Sequence, residues 1–504
     1  MAATAHSHEP RVQGAGAPRP TVGLVVMTGF SARFLLRTEI LPTLRSIGAR
    51  IVIVTPNADE EYFREEFAGE DIAVEMLFTE LGSVRRSSWR KFIFQLRKFA
   101  LPQKGASAAF RGKYLRNYRA RLRRQPVRTR VQHVLLHLLW RSRTARLAVL
   151  AIEKRVYRRA LHDRVFERHG IDLLVTTSPG YQLGDAIIMC EAERRGIRCV
   201  TTVLGWDNPT SKGYRGADPH RVIAWSERMS EQLERYHDLP PDRVVVGGVP
   251  HFDRYQRPDE LLTREELCAG LGLDPTKRIV AFATCPPGSY RANLEVATEL
   301  ARAALEGRFG EGAQIVVRLH PIAFRADHLG HLAGFEELAE SCDHVALDLP
   351  GVRSLTLRCD MPGSDGAHLA SLLKHAGVLV NIFSTTTLEA FLVDTPVVMV
   401  AYSGNPDWTL YEHLRPLVDS GGAQIADTLE ELVEQVSESL EHPQARSETR
   451  RRIARQETGP LDGRSGERIG RIIAEEALDA VRARSAGQSP VQRKSQPTSG
   501  RTAP

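Results

Sequence analysis

Val378-Leu-Val-Asn-Ile-Phe-Ser-Thr-Thr-Thr-Leu-Glu-Ala-Phe-Leu-Val-Asp-Thr-Pro-Val-Val-Met-Val400 is read as a buried strand, a hydroxyl-rich turn, a short helix and a second strand opened by Pro396. The free amides of the helix's first turn, with the hydroxyls of Ser384, Thr385, Thr386 and Thr387, form a cradle for a phosphate or diphosphate. Glu389 falls about one turn inside, where its carboxylate reaches two hydroxyls of a ribose. The plainer reading has Ser384 or Thr385 capping the helix and Glu389 as an exposed helical acid.

An earlier strand of the same block ends in Val316-Val-Arg-Leu-His-Pro321. Pro321 stops the strand, so His320 stands at its carboxyl end, where ligands of parallel α/β sheets bind. There an imidazole donates to a phosphoryl oxygen or, in the plainer reading, pairs with a carbonyl. Alternation puts Arg318 on the same side but deeper, as a second donor-side cation.

Outward from these two strands, β-branched runs alternate with amphipathic stretches along most of the chain, the pattern of a parallel sheet wrapped by helices. The first series is Gly23–Met27, Arg50–Val54, Ile72–Leu77, Asp172–Thr176, Arg198–Val203, Val222–Trp225 and Val244–Gly247. The second is Arg278–Ala283, Gln314–Leu319, Val345–Leu347, Val378–Ile382, Pro396–Val400 and Ala423–Ile425. The fold class expected is α/β, with two Rossmann-like domains facing a central cleft: residues 21–256 on the acceptor side and 257–445 on the nucleotide-donor side. Residues 446–483 are expected as helices crossing back over the first domain, and 1–20 and 484–504 as disordered tails. No internal repeat is evident.

Three loops of the first domain face the cleft in this reading. Thr201-Thr-Val-Leu-Gly-Trp-Asp-Asn-Pro-Thr-Ser-Lys-Gly213 carries Trp206, Asp207, Asn208 and Lys212. Asp207 is a candidate general base if the cleft raises its pKa; the alternative is an Asx-turn before Pro209, with Trp206 as packing. His251, in Val249-Pro-His-Phe-Asp253, is a second candidate base. Gly29, after the first strand, leaves room for close ligand approach.

Arg-Leu-His-Pro, followed by a Ser-Thr turn with an acid five residues after its serine, resembles the bacterial CDP-glycerol glycerophosphotransferase-like and capsular-polysaccharide transferases of GT-B fold. The run Gly459-Pro-Leu-Asp-Gly-Arg-Ser-Gly-Glu-Arg-Ile469 is similar to that family's ending. The resemblance covers chiefly Arg278 to Ile469. It implies that His320, Ser384, Thr385 and Glu389 hold a nucleotide-activated donor. The family often carries an aspartate where this chain has Asn381.

The chain has 504 residues, a formal charge of +7 and 42% hydrophobic residues, an ordinary globular composition. Its charge is unevenly placed. Arg85 to Arg164 holds 24 Lys or Arg against two acids, Glu153 and Asp163, so this insertion (85–165) carries +22 and the rest −15. With Trp89, Phe92, Phe94, Phe99, Tyr114, Tyr118 and Trp140 interleaved, it fits an anionic membrane surface, a polyanionic acceptor or nucleic acid. The bland alternative is a solvated helical insertion. Its apolar stretches Val131–Trp140 and Leu147–Ile152 imply that part of it folds.

Six cysteines without paired spacing are expected to be reduced and mostly buried. No Asp-x-Asp, P-loop, HExxH or GxSxG occurs, so the expectation is a donor bound without metal or cofactor. With no signal-like start and no long apolar run, the protein is expected in the cytoplasm, held peripherally at the inner face of the membrane. The function expected is transfer of a glycosyl or glycerophosphoryl group to an envelope polysaccharide or lipid-linked acceptor. The rivals are a non-hydrolysing nucleotide-sugar epimerase and a nucleic-acid-binding protein.

Overall fold

The computed structural model describes residues 19–78, 87–157, 160–324, 329–354, 357, 359–402 and 411–486. Most of the two expected tails, and residues 85, 86, 158 and 159 of the insertion, lie outside these. Thirteen strands form two parallel sheets. The first runs β3 (Ile72–Met76), β2 (Arg50–Thr55), β1 (Thr21–Val25), β4 (Leu173–Thr176), β5 (Arg198–Thr202), β6 (Arg221–Ala224), β7 (Val244–Val246). The second runs β10 (Val345–Asp348), β9 (Gln314–Arg318), β8 (Ile279–Ala283), β11 (Val378–Asn381), β12 (Val397–Val400), β13 (Gln424–Ala426). Every pairing is parallel, so each sheet collects all its carboxyl ends along one edge.

The reason is legible in the strands themselves. β9 and β11 are buried on both faces, as a sheet sandwiched between helix layers requires. One apolar cluster runs through both domains, joining Trp225, Leu233 and Phe252 to Leu369, Leu388 and Phe391. The loop after β10 docks on the first domain. Asp360, fully buried, receives Arg37 Nη1 at 2.7 Å and Tyr62 Oη at 3.1 Å, while Asn57 reaches Ser354 at 3.1 Å.

The helical stretch expected after residue 446 is two helices, Ser447–Thr458 and Ser465–Ser485. They break at Gly459, whose φ is 85° and where any Cβ would strike the Trp225 carbonyl. The second lies on the first sheet, with Ile469 and Ile473 in its core. Asp253 fastens its start, accepting from the Ser465 amide at 2.9 Å and the Gly466 amide at 2.7 Å. Thr428 caps the helix Leu429–Glu441 by accepting from the Glu431 amide. Four of the six cysteines, Cys190, Cys199, Cys268 and Cys359, are buried.

The insertion is four helices, Ser88–Lys98, Ala108–Leu122, Pro126–Arg141 and Arg143–Val156. Buried ion pairs hold them down: Arg97 to Glu153 at 2.7 Å, and Arg146 to Asp238 at 2.6 and 2.7 Å. Part of Val131–Trp140 folds inward, as expected. Leu136 and Leu139 do so, but Val131, Val134, Leu135 and Leu138 are exposed. In Leu147–Ile152, likewise, Val149 and Leu150 are buried while Leu147 and Ile152 are exposed.

Candidate functional site

The turn between β11 and the helix Thr386–Leu392 stands at the carboxyl edge of the second sheet. Asn381 holds it from below. Its Nδ2 donates to Thr387 Oγ1 at 2.9 Å and Thr386 Oγ1 at 3.3 Å. An aspartate here would have no N–H to give, which accounts for what asparagine does at this position. Phe383 takes a φ of 49°, a left-handed conformation that a bulky residue adopts only under constraint. That bend aims the following residues out of the sheet.

The turn is narrower as a cradle than its sequence suggests. Ser384 Oγ accepts from the Thr386 amide at 3.3 Å, the Thr387 amide donates to the Ser384 carbonyl, and that of Leu388 to the Thr385 carbonyl. Among the described residues, the Ser384 and Thr385 amides are left without such bonds. Thr385 is exposed and Ser384 and Thr386 are half-buried. Thr387 is fully buried beneath Asn381 and is withdrawn from the ligand-facing set.

His320 follows β9, one strand beyond β8 from the turn. Its amide donates to Thr284 Oγ1 at 2.9 Å, and its Nδ1 accepts from the Ile322 amide at 3.2 Å. An Nδ1 that accepts puts the ring proton on Nε2. Burial pushes the pKa down to about 4, so a neutral imidazole presents an Nε2–H donor at neutral pH. Arg318, by contrast, does not serve a ligand. It is buried, with Nη1 on Asp348 at 2.7 Å and Nη2 on Asp365 at 2.8 Å, and two carboxylates already balance its charge.

Glu389 is likewise committed inside the protein. Tyr255 Oη donates to it at 2.5 Å and Arg33 Nη2 lies 3.6 Å away, so the expected exposed carboxylate is a buried link between domains. His251 sits behind that link. Its ring is 5.8 Å from that of Phe34 and 4.6 Å from that of Phe252, and Nδ1 has no hydrogen-bond partner. Burial, then the nearby Arg33 and Arg254, hold its pKa well below the usual range. None of its contacts reaches Asp207 or His320, so the structure does not join these three into one relay.

Across the cleft, Trp206 is buried, its Nε1 donating to Glu457 at 2.9 Å and its ring 4.9 Å from that of His413. Asn208 is buried at the start of the short helix Asn208–Ser211, facing its own loop rather than an acceptor. Asp207 is half-buried, with Lys212 Nζ at 3.2 Å and the Ser211 hydroxyl bonded to it. Burial alone would raise its pKa, but Lys212, His413 and Ser211 outweigh that and hold it low, the reverse of the raised value expected. Aromatic rings join this loop to the β11 turn, Phe383 lying 6.4 Å from Tyr411 and Tyr411 5.9 Å from His413.

The insertion fastens the same loop. Ser107 donates to the Thr210 carbonyl at 3.0 Å, and Tyr214 to that of Lys98 at 3.1 Å. Burial, then the nearby cations Lys113, Arg97 and Lys212, push Lys98 down to about 8, the mark of a cluster of positive charge beside the loop 206–213.

Sequence reasoning missed His413, Arg33 and Tyr255. His413 sits in no motif and is brought in only by the fold. Arg33 had a usable signal, a cation in the first helix after β1 at a sheet's carboxyl edge. Gly29 is also corrected. A Cβ there would lie 2.4 Å from Asp360 Cα and 2.6 Å from its amide nitrogen, so its small size serves domain contact, not ligand approach. Gly29→Ala is therefore expected to cost about 1–3 kcal/mol, read as a lowered denaturant midpoint and faster proteolysis between the domains. An unchanged midpoint would mean that the loop after β10 does not hold the domains together.

Among solved structures, the chain is similar to UDP-GlcNAc 2-epimerase from Methanocaldococcus jannaschii at 13% identity and TM-score 0.50, over 90% of this chain and 99% of that one. It is similar to the S. aureus MnaA-UDP co-structure at 11% identity and TM-score 0.51, over 89% and 94%. A variant of the wall teichoic acid polymerase TagF aligns at 10% identity and TM-score 0.49, over 92% and 90%. No curated protein matches the chain. At these identities the first two likenesses speak for the fold alone, two Rossmann-like domains in the GT-B arrangement. The model of the CDP-glycerol:poly(glycerophosphate) glycerophosphotransferase family matches residues 211–475, more than half the chain. With the parallel sheets and the cleft between them, that match decides the family: the chain is a transferase of GT-B fold and belongs to the CDP-glycerol:poly(glycerophosphate) glycerophosphotransferase family.

Proposed function

We propose that the protein moves a glycosyl or glycerophosphoryl group from a nucleotide-diphosphate-activated donor, held by the second domain, to an envelope polysaccharide or lipid-linked acceptor presented at the loop 206–213. The observation that carries this reading is a neutral His320, its Nε2–H without a partner among the described residues, on the same sheet edge as the Ser384 and Thr385 amides, likewise without partners among them. Two strand spacings separate them, about 10 Å, a gap that a diphosphate with its ester oxygens fills.

The step is an in-line displacement. The acceptor hydroxyl oxygen bonds to the transferred carbon or phosphorus, the bond to the departing nucleotide breaks, and the hydroxyl proton passes to Asp207. His320 and the turn amides take up the charge that grows on the leaving phosphate. In this reading no metal shares that task, so activity should survive EDTA. The basic insertion keeps the enzyme near anionic polymer or the inner membrane surface. No described helix is long and apolar enough to cross a membrane.

Thermal-shift titration with CDP, UDP, CMP, GDP and dTDP tests the reading, because a ligand of the native state raises the midpoint by mass action. One nucleotide is expected to stand out. If none shifts the midpoint, or if a labelled nucleotide sugar isomerises with no acceptor present, the reading fails. A pH dependence follows as well. With a pKa of about 4, His320 stays neutral above pH 5.5, so the affinity ratio of wild type to His320→Ala should be constant from pH 5.5 to 8. A ratio that swings near pH 6.5 would mean a charged imidazole does the binding.

A further inference from the structure

The helix Pro126–Arg141 buries one side in the insertion through Thr129, Gln132, Leu136 and Leu139. Its opposite side is apolar too. Val127, Val134 and Leu138 are 73%, 68% and 57% exposed, and Val131 and Leu135 join them. At 3.6 residues per turn these five fall within an arc of about 100°. Arg130 and Arg141 flank one side of that arc, and neither meets a carboxylate among the described residues. At the other side Arg128 lies 5.3 Å over the Phe92 ring, which stacks at 5.9 Å with Trp89, itself 59% exposed.

An apolar stripe of this size on a monomer's surface marks a contact site. Charge narrows the occupant. The four helices, Ser88 to Val156, contain a single acid, Glu153, and it is buried against Arg97. Two such faces repel one another, which disfavours a second copy. Nucleic acid would match the arginines but has no use for a stripe of valines and leucines. An anionic bilayer satisfies both features, taking apolar side chains into the acyl boundary while arginines and a tryptophan meet the headgroups.

We infer that the outer face of the helix Pro126–Arg141 inserts into the interfacial layer of an anionic membrane, with Val127, Val131, Val134, Leu135 and Leu138 in the acyl region. This deepens the membrane part of the proposed function and rests on it for biological meaning, but not for its test. Because the same bundle holds the loop 206–213 through Ser107 and Lys98, insertion would bring a lipid-linked acceptor to Asp207.

Full-length protein is sedimented with vesicles of phosphatidylcholine alone and of phosphatidylcholine with phosphatidylglycerol, without donor or acceptor. Wild type is expected to bind the anionic vesicles. Val127→Ser/Val131→Ser/Val134→Ser/Leu138→Ser should weaken the partition coefficient at least about tenfold, with the melting temperature unchanged because these side chains face solvent. Val134→Trp should be quenched by brominated acyl chains. Equal binding by the serine variant, or an unquenched Val134→Trp, overturns the inference. So does a serine variant that changes the mass at sedimentation equilibrium, or wild type that binds polynucleotide in preference to the vesicles. Nucleotide thermal shifts on the same samples report separately on the donor site, so the two readings fall independently.

Discussion

His320→Ala is expected to lower turnover by about 10²- to 10³-fold, with substrate KM changed less than kcat and the fold retained. In the proposed mechanism the imidazole meets charge that grows in the transition state, so its loss should fall mainly on kcat. The structural cost is small. Among the described residues only the bond from the Ile322 amide to Nδ1 is lost, about 1 kcal/mol, while the amide of residue 320 can still reach Thr284. His320→Asn separates donor from ring, since an asparagine N–H supplies part of the missing hydrogen bond and should recover part of the rate. If purified His320→Ala transfers at the parental rate, the imidazole is only a strand-end residue satisfied by its neighbours.

The sheets were legible because the parallel strands, the central ones buried on both faces, are short β-branched runs between helical stretches, and each expected strand overlaps an observed one. β9 and β11 show how far this goes. The positions of His320 and Ser384 at strand ends followed from Pro321 and the hydroxyl run. Which side chains were still free to act did not follow, because partners come from remote elements. Arg318 is balanced by Asp348 and Asp365, and Glu389 by Tyr255 and Arg33, in pairs that no local pattern announces. The outward face of Pro126–Arg141 escaped for a related reason. A helix apolar on two sides reads from sequence as buried, and only packing tells which side lacks a neighbour.

Asp207→Asn is expected to reduce kcat by about 10²- to 10⁴-fold without altering nucleotide binding, because the donor cradle belongs to the other domain. The swap keeps volume and one acceptor oxygen for Ser211 but removes the charge that pairs with Lys212 and the acceptor for the incoming proton. Lys212 and Ser211 make the carboxylate a weaker base than a lone aspartate, but they also keep it ionised. The acid limb of the wild-type rate profile should therefore lie below pH 4, unlike that of a base with a raised pKa. His413, beside Asp207 with an unpartnered Nδ1, can take the proton onward, so His413→Gln should give an intermediate loss in kcat. A transfer rate for Asp207→Asn within threefold of wild type would reduce Asp207 to the closure of its own turn. Proton transfer would then fall to His413 or to water, and the double variant would separate those two.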